Sequence, residues 1–183
     1  MINTEKIERL MKNIIDQIKE AQIKLGYVKE SVRLYYPISS LGAILGVDGN
    51  DAAKLIETLN REFEIYRKDF GEIEFFLHGR RAEVVLSEQG AEYVHTKIPD
   101  SPFLSEFIGL FREHPHCSLE EICAVFAKYG RDYRCEKMAP GTDFDYVLYF
   151  TEQGLDEYYY CIKEEMGHTI YHRFTKEDYG QLI

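Results

Sequence analysis

The spacing of hydrophobic residues is repeated once along this chain, and the repetition constrains the fold more than any other feature. A shift of 63 positions places residues of one stretch on chemically similar residues of a second stretch. The pairs are Leu41/Leu104, Ile44/Phe107, Leu45/Ile108, Gly46/Gly109, Leu59/Ile122, Phe63/Phe126, Tyr66/Tyr129 and Asp69/Asp132. With one inserted residue, Glu88, Gln89 and Gly90 then align with Glu152, Gln153 and Gly154. Since a repeat at a fixed distance indicates a repeated supersecondary unit, we predict two modules of related architecture.

The first stretch has the order of elements of a winged helix-turn-helix. Residues 38–46 and 51–66 have helical hydrophobic spacing and are separated by turn residues. Alternating residues over 73–77 and 82–86 flank a polar tip, His78 to Arg81, which predicts a β-hairpin. A further short helix follows it. This order predicts a winged-helix-like module in which the second helix is the recognition helix and the hairpin is the wing.

A long amphipathic helix precedes this module. Between Thr4 and Gly26, apolar residues recur at helical spacing: Ile7, Leu10, Met11, Ile14, Ile18 and Leu25. The stripe is about one helical face wide, so we expect it to pack on the core of its own chain. A dimer seam is the alternative.

The segment from Lys97 to Pro102 contains two prolines and separates the halves. We therefore predict two domains, residues 1–98 and residues 103–183. The second domain begins with two helices, 103–113 and 118–129, and continues with candidate strands over 133–138, 144–150, 157–163 and 168–174. Residues 155–166 would also fit a helical face, as a strict repeat requires, but their aromatic and β-branched content favours a strand. The predicted fold class is α+β, with an antiparallel sheet in a second module that only partly repeats the first.

Composition and charge limit the classes of function. The 183 residues carry a net charge of −10, with 14 basic and 17 acidic side chains in residues 1–102 and 8 and 15 in residues 103–183. Because nucleic-acid affinity depends largely on Lys and Arg, the second half is a poor DNA surface. The charged first ten residues resemble neither a signal peptide nor a membrane span, and the four cysteines show no paired short spacing. We expect a cytoplasmic protein with reduced thiols and no membrane partner.

Several segments together carry a resemblance to a known family. They are Leu25–Tyr27, Arg33–Pro37, Phe144–Tyr146, Tyr159–Lys163 and His168–Tyr179. On these segments the chain is similar, over nearly its whole length, to an uncharacterised family of small bacterial proteins catalogued only as a domain of unknown function. The resemblance implies that the C-terminal strand pair is a defining feature of the family. It implies no activity and no catalytic residue.

Basic residues of the first domain are the candidates for nucleic-acid binding. The outward face of the predicted recognition helix combines bases with acids, and Arg80 and Arg81 lie at the hairpin tip. The candidate DNA-contacting residues are Lys54, Arg61, Lys68, Arg80 and Arg81. The alternative is a solvated charged helix and a polar turn.

Cys161 and His172 are the candidate catalytic pair. If the last two strands turn at Met166 and Gly167, these two residues lie directly opposite each other, at a distance where an imidazole can activate a thiol. The alternative is a buried cysteine that acts as a small apolar residue. The sequence shows no glycine-rich phosphate loop, nucleophile elbow or dinucleotide fingerprint.

Neither a cofactor nor a metal site is expected. His114, His116, Cys117 and Cys123 form one loose group, and His168 and His172 form a second pair. Tetrahedral zinc needs four converging ligands, usually from two short paired motifs, and neither group supplies them.

Tyrosines of the second domain are the candidate partner interface. Tyrosine is favoured at protein interfaces because a large apolar ring carries a polar tip. The candidates are Tyr146, Tyr158, Tyr160 and Tyr171. We therefore expect a non-enzymatic protein that acts through contacts with a protein partner or with itself. The alternatives are a DNA-binding regulator that uses helix 51–66 and wing 78–81, and a thiol-dependent enzyme that uses Cys161 and His172.

Overall fold

Helices and antiparallel sheets combine in a mixed α+β fold. The computed structural model describes residues 2–183. It divides into two units, Met1–Asp100 and Ser101–Ile183, and the point of division lies within the segment from Lys97 to Pro102. Within the described residues, no helix has the length and apolar character needed to cross a lipid bilayer.

The first unit contains a three-stranded antiparallel sheet and helices that cover one of its faces. Its elements are α1 (Thr4–Leu25), β1 (Val32–Pro37), α2 (Ile38–Leu45), α3 (Ala52–Glu62), a 3-10 turn (Phe63–Tyr66), α4 (Arg67–Phe70), β2 (Ile73–His78), β3 (Arg81–Leu86) and α5 (Glu88–Lys97). The strand order is β1-β3-β2, so β3 lies in the centre. Gly46 ends α2 with φ +61°, a conformation that glycine adopts without steric cost. The Asp51 side chain caps α3 by accepting from the Lys54 N–H, as its position predicts.

Helix α1 completes the core of the first unit. Its apolar stripe is buried among side chains of α2, α3 and the sheet, and consists of Ile7, Leu10, Met11, Ile14 and Ile18. Packing within the chain is therefore confirmed for this stripe. Leu25 is an exception, because the last turn extends beyond the core and leaves this side chain 85% exposed.

The two faces of the first sheet differ in composition. Alternate residues such as Phe75, Ala82, Val84 and Leu86 face the hydrophobic core. The opposite face, here called the outer face, carries Arg33, Tyr35, Glu74, Phe76, His78, Arg81, Glu83 and Val85. A slip of the strand register by one residue would exchange these two sets, since each strand alternates between core and solvent.

The second unit places two helices against a four-stranded antiparallel sheet. Its elements are α6 (Pro102–Glu113), α7 (Leu119–Tyr129), β4 (Tyr133–Lys137), β5 (Tyr146–Phe150), β6 (Tyr159–Glu165), β7 (His168–Phe174) and α8 (Lys176–Tyr179), and the strand order is β4-β5-β6-β7. Aromatic rings form its core. Phe103 contacts the rings of Phe126, Phe150 and Tyr160 at centroid distances of 4.9, 4.9 and 5.6 Å. These edge-to-face contacts are typical of a well-packed aromatic core.

The predicted repeat does not extend through the second unit. The paired helix positions are buried in both units, for example Leu59 with Ile122 and Phe63 with Phe126. However, the segment that aligns with α5 contains strand β6, which settles residues 159–165 as a strand. Gly109 also lies inside α6, whereas its counterpart Gly46 ends a helix. The resemblance between the halves is therefore limited to a helix pair followed by a hairpin.

Candidate functional site

A buried carboxylate lies in the middle of the outer face of the first sheet. Glu83 is only 4% exposed, although the face around it is open. Its Oε1 accepts hydrogen bonds from Arg33 Nη1 at 2.7 Å and from the Tyr35 hydroxyl at 3.0 Å. Its Oε2 lies 2.9 Å from His78 Nε2. Glu83, Arg33, Tyr35 and His78 are called the Glu83 cluster below.

Strand register brings the cluster together. Tyr35 lies directly opposite Glu83 on β1, and Phe76 lies directly opposite it on β2. Arg33 and His78 occupy diagonal positions on the two neighbouring strands. Long side chains reach such diagonal neighbours across an antiparallel sheet. Side chains from both edge strands, β1 and β2, therefore converge on the Glu83 carboxylate of the central strand β3.

The charges of the cluster are internally compensated. The hydrogen bond from Arg33 is the largest cause of a lowered pKa for Glu83, and Tyr35 and His78 lower it further, while burial opposes them. The same carboxylate raises the pKa of the Arg33 guanidinium. Glu83 is thus ionised at neutral pH, with Oε1 accepting from Arg33 and Tyr35 and Oε2 lying beside the His78 ring. A lowered carboxyl pKa suits positioning of neighbouring groups, whereas general-base work needs a pKa near the working pH.

Two aromatic rings, that of Tyr35 within the cluster and that of Phe76 beside it, are open to solvent. Tyr35 is 54% exposed and Phe76 is 42% exposed. Exposed aromatic rings together with an arginine are the residue types that contribute most to binding at protein interfaces. The outer face therefore combines ordered polar groups with apolar contact area.

The candidate DNA-contacting residues lie on two separate surfaces. Lys54 and Arg61 belong to α3 and Lys68 belongs to α4, and all three are exposed. Helix α3 packs on the core side of the sheet, opposite the outer face that carries Arg81. Arg61 Nη2 lies 3.0 Å from a carboxylate oxygen of its neighbour Glu62.

The neighbouring helix residues follow the same pattern. Arg67 Nη1 lies 3.1 Å from Glu64 Oε2, one turn earlier in the chain. The charges along this helical surface are therefore partly neutralised within the chain. A surface that binds phosphates by displacing counterions instead needs Lys and Arg side chains that form no ion pairs within the chain.

Cys161 and His172 are paired across β6 and β7 as predicted, but the thiol is not activated. Cys161 is fully buried with Met138 and Val147 in an apolar cluster. Burial alone raises the pKa of its thiol to about 12. The His172 ring packs on the ring of Phe144, at a centroid distance of 5.3 Å. The pair therefore lacks the polar surroundings that produce a reactive thiolate.

The candidate interface tyrosines are mostly internal. Tyr160 is fully buried because its ring packs against Phe103 and Phe107 of α6, and Tyr158, which directly precedes β6, is 9% exposed. The Tyr160 hydroxyl donates to Asp156 Oδ2 at 2.8 Å, and the Arg173 guanidinium lies 4.1 Å from the Tyr158 ring centroid. Tyr146 and Tyr171 are half-buried. The proposed interface was therefore wrong for Tyr158 and Tyr160, which offer no surface to a partner.

The histidines and cysteines do not converge on a metal site. Among residues 2–183, no three His, Cys, Asp or Glu side chains are placed to hold an ion together. The rings of His116 and His168 stack at a centroid distance of 5.0 Å, beside a cleft of ≈ 300 Å³ that Cys117 also lines. The His114 ring instead faces the Glu121 carboxylate at 3.3 Å.

Comparison with known proteins identifies the family. A family model described as "Domain of unknown function, E. rectale Gene description (DUF3877)" matches residues 7–183. The chain belongs to this family. No curated protein and no solved structure matches it. Membership in DUF3877 therefore assigns a lineage without assigning an activity.

The Glu83 cluster of this DUF3877 chain was not foreseen from its sequence. One signal was available, since Glu83 interrupts the apolar run from Ala82 to Leu86 on the face away from the core. Its partner Arg33 lies 50 positions earlier in the chain. Only the pairing of β1 with β3 makes them neighbours.

Proposed function

We propose that this DUF3877 protein is a non-enzymatic, cytoplasmic binding protein whose outer face contacts a protein partner. The observation that carries the proposal is the Glu83 cluster, with its exposed Tyr35 ring, together with the exposed ring of Phe76 beside it. The four free cysteines support a reducing compartment.

The geometry of the cluster supports binding more than catalysis. Glu83 is ionised and accepts hydrogen bonds from Arg33 and Tyr35, so it is poorly placed to accept a proton from a substrate. The same contacts hold these side chains in one arrangement before any partner arrives. Side chains ordered in advance lose less conformational entropy when a complex forms. A prepared surface of this kind favours recognition.

The architecture of the first unit supplies the scaffold for this surface. The element order α1-β1-α2-α3-α4-β2-β3-α5 and the strand order β1-β3-β2 resemble those of a winged-helix-like module, with the short helix α4 added between α3 and β2. In such a module the hairpin from β2 to β3 is the wing, and here the outer face continues to its tip. Winged-helix folds serve several functions, so the argument for a protein partner depends on the surface and not on the fold.

The charges of the outer face indicate the chemistry of the partner. Arg80 and Arg81 are exposed at the tip of this face, whereas Arg33 and His78 already face the Glu83 carboxylate, in a chain whose net charge is −10. We propose a partner that offers an apolar recess for Tyr35 and Phe76, bordered by carboxylates. Opposite charges at the rim would raise the association rate more than the affinity.

A photo-crosslinking experiment tests the proposal. Benzoylphenylalanine replaces Phe76 in one variant and Ile65 in the control, because Ile65 is 67% exposed but does not lie on the outer face. We expect crosslinks to one defined protein from position 76 and not from position 65. Tyr35→Ala should abolish them, since truncation of an interface anchor typically weakens binding by about 2 kcal/mol or more. A strict monomer by light scattering that gives no crosslink from position 76 would contradict the proposal.

DNA binding is the second candidate function. The observation in its favour is the hairpin tip, where Arg80 and Arg81 are exposed and, within residues 2–183, form no ion pair. The observation against it is the pairing of Arg61 with Glu62 on the recognition-helix candidate.

Fluorescence anisotropy with a DNA duplex at low salt distinguishes the two functions. If the tip contacts phosphates, Arg80→Ala with Arg81→Ala should make the slope of log binding constant against log salt concentration shallower by about one to two released counterions. Arg131→Ala with Arg134→Ala is the matched control, because it removes the same charge from the second unit. The absence of any duplex binding at low salt would end this candidate.

A further inference from the structure

Two cysteines of the second unit face each other where α7 meets β4. Cys123 lies in the first half of α7 and is half-buried, and Cys135 lies in the middle of β4 and is exposed. The connection between the two elements is short, since α7 ends at Tyr129 and β4 begins at Tyr133. The chain therefore reverses direction between them.

Side-chain packing fixes which residues of α7 and β4 meet. The rings of Phe126 and Tyr133 are in contact at a centroid distance of 5.8 Å. Cys123 precedes Phe126 by about one helical turn, and Cys135 follows Tyr133 on the same face of the strand. Because α7 and β4 run in opposite directions from their connection, Cys123 and Cys135 occupy the next facing positions along the pair.

Electrostatic interactions agree with this placement. The pKa of the Cys135 thiol is raised to about 11, first by burial and then by the neighbouring Cys123, and Cys123 also contributes to the raised pKa of the Tyr133 hydroxyl. The other two cysteines are placed differently. Cys117 precedes α7 and Cys161 lies in the apolar cluster of β6, and both are buried.

We infer that Cys123 and Cys135 form a reversible intramolecular disulfide when the protein meets a small-molecule disulfide oxidant. Two neighbouring thiols, one of them exposed to solvent, can undergo thiol–disulfide exchange, and the raised pKa of Cys135 makes this exchange faster as the pH rises. The bond would join α7 to β4, which is an edge strand paired only with β5. The pair is thus a redox-modification site in the second unit, separate from the outer face.

Thiol–disulfide exchange with oxidised glutathione forms the bond in two steps. The thiolate of one cysteine attacks a sulfur of oxidised glutathione, which forms a mixed disulfide and releases one glutathione thiolate. The thiolate of the second cysteine then attacks the protein sulfur of this mixed disulfide and releases the second glutathione. The protein loses two protons and two electrons, and one glutathione disulfide becomes two glutathione thiols.

Mass spectrometry of the full-length reduced protein, incubated with oxidised glutathione, tests the inference. The bridge lowers the intact mass by about 2 Da, the mass of two hydrogen atoms. We expect the number of free thiols to fall from four to two. Trypsin should release residues 113–128 joined to residues 135–137, and dithiothreitol should reverse the link.

Single-cysteine variants assign the bond. Residues 113–128 contain both Cys117 and Cys123, so Cys117→Ala is needed and should retain the link. Cys123→Ser and Cys135→Ser should each lose it and retain one glutathione adduct on the remaining partner. The exposed position of Cys135 makes the second variant safe for folding.

Three results would overturn the inference. They are a wild-type protein that keeps four free thiols, one that accumulates a stable glutathione adduct without the bridge, and a link that survives Cys123→Ser but is lost in Cys117→Ala.

Discussion

Replacing Asn60 by alanine should release the edge strand that carries part of the outer face. The Asn60 side chain on α3 donates from Nδ2 to the Phe75 carbonyl at 2.9 Å and accepts from the Phe75 N–H at 2.8 Å. Strand β2 pairs only with β3, so its other edge has no neighbouring strand. The Asn60 side-chain amide supplies at Phe75 the donor and the acceptor that such a strand would supply. The neighbouring residue on the outer face is Phe76.

The magnitude follows from these two hydrogen bonds. Each contributes about 0.5–1.5 kcal/mol, so Asn60→Ala should lower the free energy of local opening by about 1–3 kcal/mol. The higher helix propensity of alanine returns roughly 0.5 kcal/mol to the global free energy of unfolding. This gain does not slow local opening, so it does not protect the Phe75 amide from exchange. Amide hydrogen exchange at Phe75 should therefore accelerate by about 5- to 150-fold.

Thr58→Ala is the matched control for this experiment. The Thr58 hydroxyl bonds to the Lys54 carbonyl of its own helix at 2.8 Å and not to β2. Residue-resolved exchange measured by NMR should show accelerated exchange at Phe75 in Asn60→Ala only. Equal Phe75 exchange rates in the two variants would refute the idea that Asn60 holds the edge.

Three further predictions follow from burial and charge. The pKa of Glu83 is lowered on folding, so its contribution to stability is present above its ordinary value of 4.5 and is lost as the pH falls through the lowered pKa. In urea titrations between about pH 5 and 2, Glu83→Gln should therefore lose less stability than the wild-type protein as the pH falls. The same loss of stability in both proteins would argue against the cluster. Cys161, with a pKa raised to about 12, should react with iodoacetamide at least about 1000-fold more slowly in the folded protein than in urea; fast alkylation of folded protein would contradict its burial. Gly90→Ala should destabilise the protein by about 1–3 kcal/mol in urea denaturation, because a Cβ there would lie 2.5 Å from Leu86 Cγ. Gly109→Ala should stabilise it by about 0.5–1 kcal/mol, because a Cβ at that position meets no atom within 4 Å. The opposite order of stabilities would contradict the packing described for the two glycines.

Local structure could be predicted where short-range spacing controls it. Helix α1 spans Thr4–Leu25 and strand β7 spans His168–Phe174, the same ranges that the hydrophobic pattern predicts. The two-residue turn at Met166 and Gly167 has positive φ at both residues, and it sets the predicted pairing of β6 with β7. In each case the determining residues are close together in the chain.

The pattern could not predict which aromatic residues would be buried. Tyr160 and Tyr35 are both tyrosines on β-strands, yet Tyr160 is fully buried under α6 and Tyr35 is 54% exposed. The side-chain alternation of a strand defines two faces but does not state which of them a helix covers. That choice depends on packing between distant elements.

The mixed α+β class, most element boundaries and the family of this protein follow from the amino-acid sequence, because periodicity, capping residues and turn residues act over a few positions. The chemistry of the surfaces depends on how the elements pack. This packing places Glu83 between Arg33 and His78, and it encloses Cys161 in an apolar cluster. The physical reason is that strand pairing and helix packing join residues tens of positions apart, and hydrogen bonding, burial and pKa depend on those neighbours.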